Sequence, residues 1–150
     1  MQNGVPMAAA PMGPPVVQSS RKSLLINTKH LVHPFLTEQG WMIVASGNIT
    51  HNLRDWQQAE MGLAIDSSYA QRFSDWIHGQ LISGNTTALL DYRPRQSDAL
   101  RAQPRDEHLL PLFMALGAAG SGAHPRAIHR GITDHVIAMD SYAFESISAQ

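Results

Sequence analysis

Trp41-Met42-Ile43-Val44-Ala45 is an unbroken apolar run set between Gly40 and Gly47. It is too short for a stable helix and has a glycine on either side, so it reads as a β-strand. Because it is apolar at every position, it reads as a strand buried on both faces. Strands of that kind belong to parallel sheets covered by helices, which points to an α/β layered domain. The run ends in Ser46-Gly47-Asn48 and then presents His51. In open α/β sheets, ligands and catalytic groups gather at the carboxyl ends of strands. His51 is therefore a candidate reactive residue, held by a glycine-containing turn and flanked by the short polar side chains Asn48, Thr50 and Asn52. Those side chains could orient an imidazole or a bound ligand. The plainer alternative, that His51 merely caps the next segment, stays open at this level.

Helical periodicity elsewhere supports the layered reading. Asp66 to Leu81 repeats Tyr69, Phe73, Trp76, Ile77 and Gln80 at helical spacing, with Asp66 and Ser67 available as caps. Asp106 to Ala119 forms a second helix with Pro111 near its first turn and Gly120 after its end. Leu31 to Gln39 reads as a helix interrupted at Pro34, with Gly40 as C-cap. Pro15 to Ser19 reads as a short strand, Ser23 to Ile26 as strand or helix, and Thr86 to Tyr92 as a short helix or turn. Arg93 to Arg105 reads as a loop because it is polar and holds Pro94 and Pro104. Gly120 to Pro125 is a loop, His135 to Met139 a last strand, and Ser141 to Phe144 follows it. The expected fold is α/β, a central mostly parallel sheet flanked by helices. The strands are few for 150 residues, so this sheet is expected to be part of a larger one.

The formal net charge of −1 gives no electrostatic case for nucleic acid or an anionic membrane. No apolar run reaches the ~20 residues that a membrane-spanning helix needs. The absence of cysteine removes disulfides and thiolate chemistry, and fits a cytoplasmic setting. Any metal would have to be held by His, Asp or Glu. Eight histidines are available, and imidazole is both a common metal ligand and the usual acid/base near neutral pH. His108 is the second candidate. It follows Asp106 and Glu107 at the expected start of a helix, where the dipole disfavours imidazolium and leaves the neutral ring that ligation requires. A plain solvent-exposed histidine is its alternative reading. His30, His33, His78, His124, His129 and His135 read as surface or strand-edge residues. No phosphate-binding glycine loop and no nucleophile elbow occur.

Two segments carry a family resemblance. Ser46-Gly47-Asn48-Ile49-Thr50-His51-Asn52-Leu53-Arg54 closely resembles the S-G-N-x-x-H-N-L-R motif of class III extradiol ring-cleavage dioxygenases of the 4,5-DOPA dioxygenase type, relatives of the LigB catalytic subunits. Glu107-His108-Leu109-Leu110-Pro111-Leu112, followed by Ala115-Leu116-Gly117-Ala118, is similar to that family's E-H-x-L-P-L and L-G-A segments. Pro15-Val16-Val17-Gln18 and Ala138-Met139-Asp140-Ser141-Tyr142-Ala143-Phe144 resemble two of its strands, in the same order. The resemblance implies a mononuclear non-haem metal, Fe(II) for catalysis with Zn(II) in some members, and opening of a catechol-type aromatic diol by O2 beside the diol. It implies His108 as a metal ligand and His51 as acid/base beside the metal, sometimes counted among the ligands. Asn48 and Asn52 become candidate substrate contacts.

The departures are specific. The family's H-G-S-P and S-A-H-W motifs, each holding a further histidine ligand, do not occur. Gln2-Asn3-Gly4 stands where the family has D-H-G, and Gln103-Pro104 where it has His-Pro. The expectation is thus an irregular segment over 1–15, the C-terminal portion of a catalytic domain over 16–144, and a tail over 145–150. The missing ligands would come from a separately encoded N-terminal half or belong to a longer gene of which this is a truncated form, and the missing half or a homo-oligomer is the expected macromolecular partner. A catalytically inactive fragment or degenerate homologue lacking the N-terminal metal ligands is the alternative.

Overall fold

The computed structural model describes residues 39–120 and 122–146. Among these residues six helical segments precede four short strands: α1 Leu53–Glu60, α2 Ser68–Ile82, α3 Thr86–Leu90, α4 Tyr92–Arg95, α5 Ala99–Ala102, α6 Leu110–Ala119, then β1 Ala123–His129, β2 Ile132–Thr133, β3 Ile137–Ala138 and β4 Ser141–Ser146. The chain is mixed α/β. The described strands pair only antiparallel, as two separate two-stranded sheets, β1 with β4 and β2 with β3. The described residues form no parallel sheet.

The α2 helix is the centre of the core. Tyr69, Phe73 and Ile77 recur along one stripe and are fully buried, with Leu81 a turn further on. They pack with Leu89, Tyr92, Leu109, Phe113 and Val136 in one apolar cluster. Burying a large side chain of this kind stabilises the fold by about 1.5–3 kcal/mol. The helix begins slightly later than its sequence suggests. Asp66 stays outside it and its carboxylate accepts from the Ser68 amide at 3.0 Å and the Ser68 hydroxyl at 2.5 Å. Asn52 and Asn85 cap α1 and α3 by accepting from the amides of Asp55 and Ala88, both at 3.1 Å.

Several expectations are corrected. Trp41–Ala45 is not a buried strand in this structure. Trp41 is 64%, Met42 83% and Val44 77% exposed, and the run joins no sheet among the described residues. An apolar sequence sets a strand's burial only if other strands pair with its edges and helices cover its faces, and among the described residues no strand pairs with this run. Arg93–Arg105 is not a plain loop, because it contains the end of α4 and all of α5. Pro94 sits in the first turn of α4, where its missing N–H breaks no helical bond, and Pro104 follows the C-cap of α5. The helix expected from Asp106 begins only at Leu110. The expected loop at Gly120–Pro125 gives way to β1 at Ala123, and Pro125 is tolerated because β1 lies in a two-stranded sheet. The expected strand His135–Met139 shrinks to β3. The residues before it form a tight connection in which Asp134 (φ 45°) and His135 (φ 67°) take left-handed backbone angles. Except for Gln39, the Leu31–Gln39 helix lies outside the described residues, as do Pro15–Ser19, Ser23–Ile26, His30 and His33.

Candidate active site

Although far apart in sequence, His51 and His108 meet. Their rings stack with centroids 3.4 Å apart and planes inclined by 25°. The backbone around them explains the contact. Asn48 N–H donates to the His108 carbonyl at 2.8 Å, and His51 N–H to the Ala102 carbonyl at 2.8 Å. Gly47 makes the first bond possible, since a Cβ there would lie 2.2 Å from the His108 carbonyl oxygen and 2.9 Å from Pro111 Cγ. This glycine is required for close backbone approach.

Segments on both sides hold the His51 loop. Thr50 is fully buried; its hydroxyl donates to the Val136 carbonyl and accepts from the Ala138 amide, both at 2.6 Å. Ile49 N–H adds a bond to the Ala138 carbonyl at 3.2 Å. A side-chain hydroxyl thus does what a strand's backbone would do, tying the loop to the β2–β3 hairpin. On the other side, the Asn52 amide donates to the Arg101 carbonyl at 2.9 Å, and Arg101 donates to Asp55 at 2.8 Å. Gln103 Nε2 donates to the carbonyls of Asn48 (2.8 Å) and Ile49 (2.9 Å). Both polar ends of Asn52 are engaged in the fold, whereas Asn48 Nδ2 reaches only Met139 Sδ at 3.5 Å.

Asp106 anchors the turn that carries His108. Its carboxylate accepts from the Tyr92 hydroxyl at 2.6 Å and from Arg93 Nε at 2.7 Å, and its carbonyl accepts from the Leu109 and Leu110 amides. His108 therefore precedes the helix and lies outside its first turn. The Glu107 carboxylate pairs with Arg105 at 2.9 Å.

The pKa of His51 is held below its ordinary value. Burial is the main cause and a protonated His108 beside it adds to the effect, while Glu107 opposes it. This favours a neutral imidazole at His51, the form that ligates metal or accepts a proton. Among the described residues no group of three or more His, Cys, Asp or Glu side chains could hold a metal ion. The pair offers two nitrogen donors, and a facial metal site needs a third donor from outside the described residues. A cleft of about 380 Å³ lies beside the loop, lined by Val44, Asn48, Pro111, Met139, Tyr142 and Phe144 among others. Neither histidine lines it.

The remaining described histidines stay apart. His78 is half-buried and its Nδ1 lies 3.4 Å from the Tyr142 hydroxyl. His135 faces Glu60 at 3.5 Å, both half exposed. His124 and His129 are exposed on β1. The sequence pattern does not expose the supporting roles of Gln103, Asp106 and Arg93. For Gln103, its place where the family has a histidine beside the E-H segment is the available signal.

A family model for the catalytic LigB subunit of aromatic ring-opening dioxygenase matches residues 27–144. The chain belongs to the LigB family. Among curated proteins, this LigB-family chain is 30% identical over 137 residues to a 4,5-DOPA dioxygenase extradiol of Beta vulgaris, covering 88% of the chain and 50% of that protein. It is 33% identical over 95 residues to one of Mirabilis jalapa, covering 63% of the chain and 34% of that protein. It is 28% identical over 113 residues to one of Portulaca grandiflora, covering 75% of the chain and 41% of that protein. The LigB-family chain thus spans half or less of the length of these relatives.

Proposed function

We propose that this chain carries part of the active site of a non-haem metal-dependent extradiol dioxygenase that opens a catechol-type aromatic diol with O2. The observation that carries the reading is the stacked His51–His108 pair, which unites the two family segments at one point. In this reading residues 16–144 form the C-terminal portion of a catalytic domain, 1–15 an irregular lead and 145–150 a tail. The exposed Trp41–Ala45 run becomes a strand of a mostly parallel sheet once neighbouring strands are present. His108 supplies a metal ligand. His51, kept neutral, takes or returns the diol proton and stands close enough to serve as a second donor. Asn48, whose residue lines the cleft, is the remaining candidate substrate contact, while Asn52 supports the loop. Fe(II) would supply open positions for the diol and O2, and Zn(II) is the alternative occupant of the site. The further ligands come from a separate polypeptide that carries the H-G-S-P and S-A-H-W motifs, and a homo-oligomer is a further partner. The cysteine-free composition suits a cytoplasmic enzyme.

A second reading has its own observation. With no three-ligand cluster among the described residues, the chain alone would be a catalytically inactive fragment or degenerate homologue. One experiment separates the two. The purified chain is loaded anaerobically with Fe(II), and oxygen uptake with L-DOPA or catechol is followed with and without a polypeptide carrying the H-G-S-P and S-A-H-W motifs. Uptake only in the mixture supports the divided site. Failure in both supports the inactive reading. Tight one-to-one metal binding and turnover by the chain alone would refute both.

A further inference from the structure

We infer that Gln103 is a positioning residue that sets the His51 ring against His108; the functional importance of that contact rests on the dioxygenase reading above. Gln103 is fully buried and sits at the C-cap of α5, and its side chain points back to the loop that carries His51. Its Nε2 group donates to two consecutive carbonyls, Asn48 at 2.8 Å and Ile49 at 2.9 Å. Carbonyls accept only, so the amide orientation is determined: nitrogen faces the loop and Oε1 faces away. That oxygen is buried and has no hydrogen-bond partner among the described residues. A buried acceptor is ordinarily satisfied, so this amide keeps both donors on the loop and leaves its own oxygen unpaired.

The location gives the two bonds their effect. The Gln103 donors act immediately before Thr50 and His51. The Asn48 residue whose carbonyl they hold is the one whose backbone amide donates to His108 at 2.8 Å. At the far end of the loop, His51 N–H and the Asn52 side-chain amide are bound to the carbonyls of Ala102 and Arg101, the two residues before Gln103. Residues 101–103 and 48–52 therefore clasp each other reciprocally, carbonyls of one to donors of the other in both directions. Gln103 is the member of the clasp that controls where the loop stands relative to the His108 turn. A histidine at this position, as in the family pattern, has a ring that offers a given direction only one N–H, so it could hold one of the two carbonyls but not both.

The test uses the 150-residue chain and the variants Gln103→Met and Gln103→His, with Ser74→Ala as a control. Ser74 donates to Asp140 at 2.6 Å and takes no part in the histidine pair. Through-space NMR cross-peaks between the His51 and His108 ring protons report the stacking without any metal. In Gln103→Met these peaks should vanish at a temperature where the α2 amide spectrum shows the fold intact. In Gln103→His they should weaken but persist, and in Ser74→Ala they should be unchanged even though stability falls. Should Gln103→Met fail to fold, Gln103→His decides alone. Peaks of wild-type intensity in the folded variant would overturn the inference. Calorimetric titration with Zn(II), with the chain mixed with the motif-bearing polypeptide, tests the link to the metal. Gln103→Met should bind about 10- to 100-fold more weakly, as when outer partners of ligands are lost. If the wild type shows no His108-dependent zinc binding, the dioxygenase reading fails while the cross-peaks still judge Gln103.

Discussion

Replacing Gly47 with alanine strikes the candidate site at its tightest point. The added Cβ would stand 2.2 Å from the His108 carbonyl oxygen, where ordinary contact begins near 3.4 Å, so the two backbones must separate by about 1.2 Å. Pro111 Cγ, at 2.9 Å, blocks the easiest relief. Overpacking of this kind costs about 1–3 kcal/mol. Stretching the 2.8 Å bond from Asn48 N–H to the His108 carbonyl adds about 0.5–1.5 kcal/mol. The total of about 2–4 kcal/mol lowers the melting temperature by about 5–15 °C for a chain of this size. Gly79→Ala is the matched control: nothing lies within 4 Å of its Cβ and it sits inside α2, so alanine there should stabilise the protein by about 0.5–1 kcal/mol. Thermal melts followed by circular dichroism give both values, and the ring cross-peaks between His51 and His108 should disappear only in Gly47→Ala. A Gly47→Ala protein with wild-type melting temperature and intact cross-peaks would refute the close-approach argument.

Thr50→Val should cost about 2–4 kcal/mol, because it leaves the Val136 carbonyl and Ala138 amide buried without their 2.6 Å partner; Thr50→Ser should recover most of it, and hydrogen exchange at Ala138 reports the difference. In the reconstituted enzyme His51→Ala should lower turnover by about 10²–10⁴ with metal largely retained, whereas His108→Ala should lose the metal, as read by metal analysis beside the rate. Asp98 is held below the ordinary carboxylate value, chiefly by its hydrogen bonds with Arg72. Its folded pKa lies below the unfolded one, so this contribution is present above pH 3.8 and is lost as the pH falls through the depressed value. Arg72 is half exposed, so solvent screening holds the contribution to a small amount. Arg72→Met should flatten the acid limb of urea-melt stability by that amount, and an unchanged limb would count against the pairing.

The sequence displays the candidate site more clearly than the surroundings that hold it. His51 and His108 can be named because each sits in a long, unusual string of residues, and their meeting is the geometry those strings imply. The α2 stripe is legible because Tyr69, Phe73 and Ile77 repeat at helical spacing. Gln103 and Asp106 are not legible as supports, since a lone polar residue carries no sign of which distant carbonyl or guanidinium it will meet. The region from Tyr92 to Gln103 misleads because prolines mark breaks in a pattern without saying on which side of a break a helical turn lies. Trp41–Ala45 misleads in burial because burial depends on neighbours, and a strand's own residues do not encode whether those neighbours are at hand.

The left-handed angles at Asp134 and His135 have a practical consequence. A residue with a Cβ in that region bears a conformational penalty of about 1–2 kcal/mol. The connection that bears it leads into Val136 and Ala138, which supply the two backbone groups that grip Thr50. Asn and Gly occupy such angles readily. His135→Gly would therefore relieve the strain at its own position, and the contact of His135 with Glu60 that it forfeits is an exposed one. The hairpin is thus an adjusting screw for the contact with Thr50. Its rigidity can be tuned from a surface position, without altering a single side chain that faces the histidines.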